Sequence, residues 1–399
     1  MNGLRYAEIA NFVPRRSAVV TQLLLGCHAR RACSGIVKSK VEAATGRSRI
    51  GRQLQRLVLQ CAAFAVTGCL LALPKPSAGG AKAERIGQAS LVTQSSTPPI
   101  TIVVVTLDGV RWHEVFEGVD PKLAASHGLS ANEVVSAEEL TPNLHRIVAT
   151  HGAALGAPGF GATISASGPN FVSLPGYAEL LSGRRTTGCR DNQCAGAGAR
   201  TLLDDFSRAS LRDASQVALF TSWPDIARVA SERGVVSEPL PRSRSFRPDA
   251  VTAELALAHL KAHPPRFLFL GLGEPDEFGH QNDYAGYLNA VRRADARIAE
   301  VDHELSRLAA HGTRTALFVT ADHGRADNFV EHGAKFPESA RVWLIAAGSA
   351  VHASGFVAAR VQRHLADLAP TVRQIAGLPA DHDPEAGMPL TELLSPENL

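Results

Sequence analysis

The eight residues "ITIVVVTL", Ile100–Leu107, form a mostly β-branched run with no polar–apolar alternation. A strand of that kind needs apolar cover on both faces, as inside a parallel sheet. The run stops at Asp108-Gly109, a carboxylate beside the residue most tolerant of a tight turn. Similar runs recur at "QVALFTS" (Gln216–Ser222), "RFLFLGLG" (Arg266–Gly273), "TALFVTADHG" and "RVWLIAAG". Between them, helices are predicted. "TPNLHRIVATHG" has Thr141 as N-cap, Pro142 at the first helical position and Gly152 past the end. "TAELALAHLKAH" and the segment from Tyr284 to about Leu308 show apolar residues at helical spacing, and "DLAPTVRQIAGL" reads as a late helix. Strands alternating with helices predict an α/β fold, a three-layer α/β/α sandwich with a mainly parallel central sheet. No internal repeat and no GxxxxGK phosphate loop is present.

In such sheets, ligands bind beyond the carboxyl ends of the strands. Asp108 follows the first strand, Asp276 and His280 follow "RFLFLGLG" in "EPDEFGH", and Asp322 and His323 follow "TALFVT". His332 comes nine residues later, in "EHGAKFP". Taken singly, each residue reads first as a cap or a surface charge. Their coincidence at three strand ends points to one chemical site. Asp276 and His280 are four apart, so one helical turn puts both on one face. With His332 they make a carboxylate and two imidazoles with an open position, a set that suits Zn²⁺ and, less exclusively, Mn²⁺ or Fe. Asp108, Asp322 and His323 make a second set.

A nucleophile candidate lies in "NFVSLPGYAELLSG", Asn170–Gly183. Ser173 stands just before Pro175, where a helix is predicted to begin. A helix N-terminus offers unpaired N–H groups to an anion, and a serine there is equally a plain N-cap.

The stretches "VVVTLDGVRW", "SLPGYAELLSG", "PDEFGH", "TADHG", "EHGAKFP" and "DLAPTVRQIAGLP…GMPLTELL" together resemble the alkaline phosphatase superfamily, in particular its phosphodiesterase and nucleotide pyrophosphatase-like branch. They occur in that family's order over nearly all of residues 100–395. The resemblance implies an alkaline phosphatase-like fold and a hydrolase of phosphate mono- or diesters. It implies two divalent metal ions, zinc first. One would be held by Asp276, His280 and His332, the other by Asp108, Asp322, His323 and the Ser173 hydroxyl. Ser173 would form a phosphoserine intermediate, and Asn170 would contact a substrate oxygen. "GYAE" departs from the asparagine-bearing version of this segment in the diesterases, so their substrate preference does not transfer. Sulfatases share the fold but carry an arginine where Tyr177 stands. Mutase relatives carry a large inserted domain, whereas about 70 residues separate Asp205 from Asp276. An exported metal- or partner-binding protein without catalysis would lack a ligand or nucleophile, and none is missing. Lys335 and Arg325 read as oxyanion-neutralising groups or as solvated charges, and Trp112 and Trp223 as stacking surfaces for a leaving group or as packing.

The 399 residues carry a formal net charge of +3, much of it in the N-terminal arginines and lysines. A basic face for nucleic acid therefore has little support in the remainder. The expected partner is a phosphorylated small molecule. Residues 1–56 read as a basic extension, with a start codon placed too far upstream as one explanation. "LVLQCAAFAVTGCLLAL", Leu57–Leu73, reads as a signal or membrane anchor. "VTGC" within it marks Cys69 as a lipidation candidate. Residues 74–99 read as a linker, leaving 100–399 as the catalytic domain. The expectation is an exported protein, periplasmic or secreted, or attached to a membrane through that segment. Cys189 and Cys194, a lone close pair in the folded part, are a disulfide candidate.

Overall fold

The computed structural model describes residues 99–211, 213–231 and 245–399. The chain separates into two units, Met1–Leu91 and Val92–Leu399, and all described residues belong to the second. The basic extension, the apolar segment with Cys69 and all of the linker but Pro99 lie outside the described residues. No helix among the described residues is long and apolar enough to cross a membrane.

Among the described residues ten strands are present: β1 (Ile100–Leu107), β2 (Gly152–Leu155), β3 (Ile164–Ser165), β4 (Val217–Thr221), β5 (Phe267–Leu272), β6 (Arg314–Thr320), β7 (Arg341–Val342), β8 (Leu344–Ala347), β9 (Gly355–Phe356) and β10 (Arg363–His364). Seven form one sheet in the order β4-β5-β1-β6-β8-β2-β9, and β10-β3-β7 form a small second sheet. The first four strands are parallel. β1 is buried along its whole length, as its unbroken apolar run requires. The helices used below are α1 (Pro142–Thr150), α2 (Ser173–Ser182), α3 (Asp249–Ala262), α4 (Glu274–His280), α5 (Tyr284–Ala310) and α6 (Leu368–Ala376). The 27-residue α5 packs its apolar stripe, including Leu288, Val291, Ile298, Val301 and Leu305, into the core. The α/β class and the large, mostly parallel central sheet are as expected.

Three local expectations change. Gly152 opens β2 instead of trailing α1. "RVWLIAAG" is two strands broken at Trp343, and β8 runs antiparallel to β6 and β2. Trp343 is fully buried and donates its indole N–H to Val110 O at 3.0 Å. A side chain that must reach the turn after β1 leaves the ladder at that residue. Finally, α2 begins at Ser173 itself, with Val172 in the cap position, so Ser173 is the first helical residue and not the N-cap.

Candidate metal centre and nucleophile

Asp108 is the first residue after β1, Asp322 the second after β6, and Asp276 the third of α4, which follows β5. β1 lies between β5 and β6 in the sheet, so three buried carboxylates converge at the carboxyl ends of adjacent parallel strands. The turn after β1 is tight. Gly109 has φ +62°, and its N–H donates to Asp322 Oδ1 at 3.1 Å. A Cβ there would come within 2.5 Å of Asp276 Oδ1, so only glycine lets the two strand ends approach.

The ligand atoms of Asp108, Asp322 and His323 lie within 4.8 Å of one another, as do those of Asp276, His323 and His332. His323 Nε2 is 3.5 Å from Asp108 Oδ1 and 3.4 Å from Asp322 Oδ2. Its Nδ1 is 2.8 Å from Gly324 O. That contact places the proton on Nδ1 and turns the Nε2 lone pair toward the carboxylates. His280 joins the second group: its Nε2 is 3.0 Å from Asp276 Oδ2 and 3.2 Å from His332 Nε2. His332 Nε2 is 3.8 Å from Asp276 Oδ1, and its Nδ1 contacts Phe171 O at 3.1 Å. All six metal-ligand candidates are therefore in one cluster, and His323 stands between its two halves.

Ser173 joins them. Its hydroxyl is 3.3 Å from Asp108 Oδ1 and 3.3 Å from His323 Nε2. Tyr177, one turn along α2, donates to Asp108 Oδ2 at 3.0 Å.

The electrostatics are those of a site built for cations. Burial, and then the neighbouring carboxylates, push Asp108 and Asp322 far above the ordinary carboxylate range. Burial also raises Asp276, but the Arg325 guanidinium, His280 and His323 outweigh it and hold that carboxyl well below its usual range. Burial, then His332, pushes His323 down to about 3, so its imidazole is neutral at neutral pH. Asp322 Oδ2 is buried and has no hydrogen-bond partner. An orphaned carboxylate oxygen beside a neutral imidazole and a second carboxylate suits a divalent cation.

Two residues here hold roles that the sequence did not show. Arg325 is not a solvated charge. Its side chain is fully buried, paired with Asp276 Oδ1, and donates to Phe329 O at 2.5 Å and Val330 O at 2.6 Å. Lys335 is exposed. Asn192 accepts the N–H of Leu174 at 2.9 Å, next to the nucleophile candidate. Asn170 donates to Arg190 O at 3.1 Å and accepts from Ala334 N at 3.2 Å. Cys189 and Cys194 form a disulfide. Trp112 lies under the Arg341 guanidinium, 3.4 Å from its ring centre, and Trp223 packs against the core.

A family model described as the metalloenzyme superfamily matches residues 242–380, a stretch holding Asp276, His280, Asp322, His323 and His332. Among curated proteins, the 2,3-bisphosphoglycerate-independent phosphoglycerate mutase of Natronomonas pharaonis is 29% identical over 26% of this chain and 20% of its own. That of Thermomicrobium roseum is 28% identical over 37% of this chain and 29% of its own. The matches thus span less than a third of those relatives. Among solved structures, murine ectonucleotide pyrophosphatase/phosphodiesterase 5, an inactive variant in complex with AMP, superposes with a TM-score of 0.51 at 15% identity, over 74% of this chain and 100% of the other. A variant of the alkaline phosphatase PafA gives 0.51 at 10%, over 75% and 100%. A 2-O GAG sulfatase gives 0.50 at 16%, over 74% of each chain. Over residues 242–380 the chain matches the metalloenzyme superfamily, and its fold is the one shared by the phosphodiesterase, alkaline phosphatase and sulfatase on which it superposes.

Proposed function

We propose that the protein is a two-metal-dependent hydrolase of phosphate esters that works through a phosphoserine at Ser173. The observation that carries this reading is the seat of Ser173: first residue of α2, its hydroxyl 3.3 Å from both Asp108 Oδ1 and His323 Nε2. Asp276, His280 and His332 would hold one ion, and Asp108, Asp322, His323 and the Ser173 hydroxyl the other. Zinc suits the mixed carboxylate and imidazole donors. Bound divalent ions would supply Lewis-acid charge to the phosphoryl group and to the attacking and leaving oxygens.

The chain's own residues do the rest. The first turn of α2 aims Ser173 Oγ, and its proton passes by way of solvent to the departing alcohol. The Oγ–P bond forms as the ester P–O bond breaks, and the alcohol leaves with a proton. Water then attacks phosphorus, the Oγ–P bond breaks, and Ser173 regains its hydroxyl as phosphate is released. Tyr177 keeps Asp108 oriented through its 3.0 Å hydrogen bond. Tyr177 is buried, and burial raises its phenol well above the usual range, so it stays a donor throughout the neutral range.

The test uses the full chain loaded with zinc, assayed on p-nitrophenyl phosphate, bis-p-nitrophenyl phosphate and p-nitrophenyl sulfate. Turnover of a phosphate ester is expected, falling by about 10³-fold or more in Ser173→Ala and lost on chelation. The ratio of the two esters assigns mono- or diesterase. Turnover of the sulfate alone would overturn the reading, as would phosphate turnover unchanged in Ser173→Ala.

A further inference from the structure

The segment Cys189–Cys194 plays no part in the chemistry above, yet it contacts the start of α2 directly and the segment after His332 through Asn170. Its disulfide closes a six-residue loop. From that loop, Asn192 Oδ1 accepts the Leu174 N–H at 2.9 Å. Helices leave their first N–H groups without intrahelical partners. This one is satisfied from 18 residues away, one residue from the nucleophile candidate. The loop is tied down in turn. Arg228 donates to Asn192 O at 3.1 Å and to Cys194 O at 3.4 Å. On its other side, Arg190 O accepts from Asn170 Nδ2, and Asn170 Oδ1 accepts from Ala334 N, two residues past His332. His332 itself contacts Phe171 O. The loop therefore connects the start of α2 with the segment carrying a metal-ligand candidate, through polar contacts whose geometry depends on the loop staying closed.

We infer that the disulfide-closed loop is a clamp for catalysis, in which Asn192 is a positioning residue: it fixes the first turn of α2, and Asn170 couples the same loop to the His332 segment. This rests on the proposed function for its kinetic consequence, but its structural content stands apart from it. Opening the clamp would let Ser173 drift relative to Asp108 and His323. A misplacement of about 1 Å at a reacting group costs on the order of 10²-fold in rate.

The experiment compares wild type, Asn192→Ala, Asn192→Asp and Cys189→Ser/Cys194→Ser, with dithiothreitol treatment of folded wild type in case the double variant does not fold. Dithiothreitol supplies two electrons and two protons; the S–S bond becomes two thiols and the reagent becomes its cyclic disulfide. Hydrogen–deuterium exchange across residues 171–181 reads the clamp, and kcat and KM on whichever ester is turned over read its consequence. Asn192→Ala and the opened disulfide are expected to speed exchange at the start of α2. They should lower kcat by about tenfold or more, with KM and metal content little changed. Asn192→Asp keeps an oxygen acceptor for Leu174 N–H, so exchange protection should be retained. Unchanged exchange and unchanged kcat in both Asn192→Ala and the reduced protein would overturn the clamp. If wild type turns over no ester, the hydrolase reading fails and the exchange data alone decide the clamp.

Discussion

Arg325 shows how much of this site is decided by a single side chain. It is fully buried and pairs with Asp276 among two further buried carboxylates, Asp108 and Asp322. In the metal-free protein it is the guanidinium on which Asp276 relies for its charged state. Breaking a buried ion pair by removing one partner costs about 3–5 kcal/mol. Arg325→Met should therefore destabilise the metal-free protein by that order and the zinc-saturated protein by much less. Urea unfolding with chelator and with excess zinc checks it. Equal losses in both conditions would mean that Arg325 acts by packing and not by charge. Nothing in "TADHGR" announces this pairing, because Asp276 lies 49 positions away. The sequence carries only the abundance of acid at the strand ends. The same holds for Asn192, whose partner Leu174 is set by the loop closure and not by local spacing.

At the scale of elements, α2 is the piece most tightly fitted to the centre. A Cβ at Gly176 would lie 2.3 Å from the carbonyl oxygen of Asp322, which is backbone and cannot swing away. Gly176→Ala should push the helix off the loop carrying Asp322 and His323. A stability loss of about 1–3 kcal/mol is expected, with a fall in ester turnover and in zinc affinity. Thermal melts and zinc titration of the variant test this, and an alanine variant with wild-type affinity would refute the fit. The helix was legible from "SLPGYAELLSG" and its Gly183 stop, but its start was not. Serine before proline reads as a cap, whereas the structure gives that place to Val172 and makes Ser173 helical. The parallel strands and their acidic ends were legible because burial on both faces leaves a continuous apolar run. β2 and β9 were not, since "GAAL" and "GF" are too short and too small to carry a pattern.

For the whole molecule, buried carboxylates away from the centre set the pH response. Glu179, on the far turn of α2, accepts from Ser167 N, Ser167 Oγ and Ala366 N. Those bonds lower its pKa, but burial outweighs them and raises it from 4.5 to about 7. The native state thus holds this proton more tightly than the unfolded chain. Its contribution is present in full below about pH 4.5 and is lost as the pH rises through about 7, a change of about 3 kcal/mol. Glu179→Gln should gain stability relative to wild type between pH 5 and pH 8, measured as the difference in unfolding free energy. A difference that stays flat or runs the other way would refute the assignment. Asp249, at the start of α3, is raised to about 7 by burial in the same sense. What the sequence made visible at this scale is the α/β plan and the six metal-ligand candidates, because parallel topology forces strand ends to one edge. The antiparallel β8 and the long-range contact of Trp343 with Val110 depend on packing, which periodicity does not encode.

Asp108 and Asp322 follow β1 and β6 within two residues, Asp276 stands on α4 just past β5, and those three strands are hydrogen-bonded neighbours. Adjacent strands sit about 4.8 Å apart in any sheet. The spacing of Asp108 and Asp322, which follow neighbouring strands directly, is therefore inherited from the backbone ladder, as graduations are from a ruler. Side-chain exchange around the rim can change what the centre accepts, but its gauge stays fixed as long as those three strands remain paired.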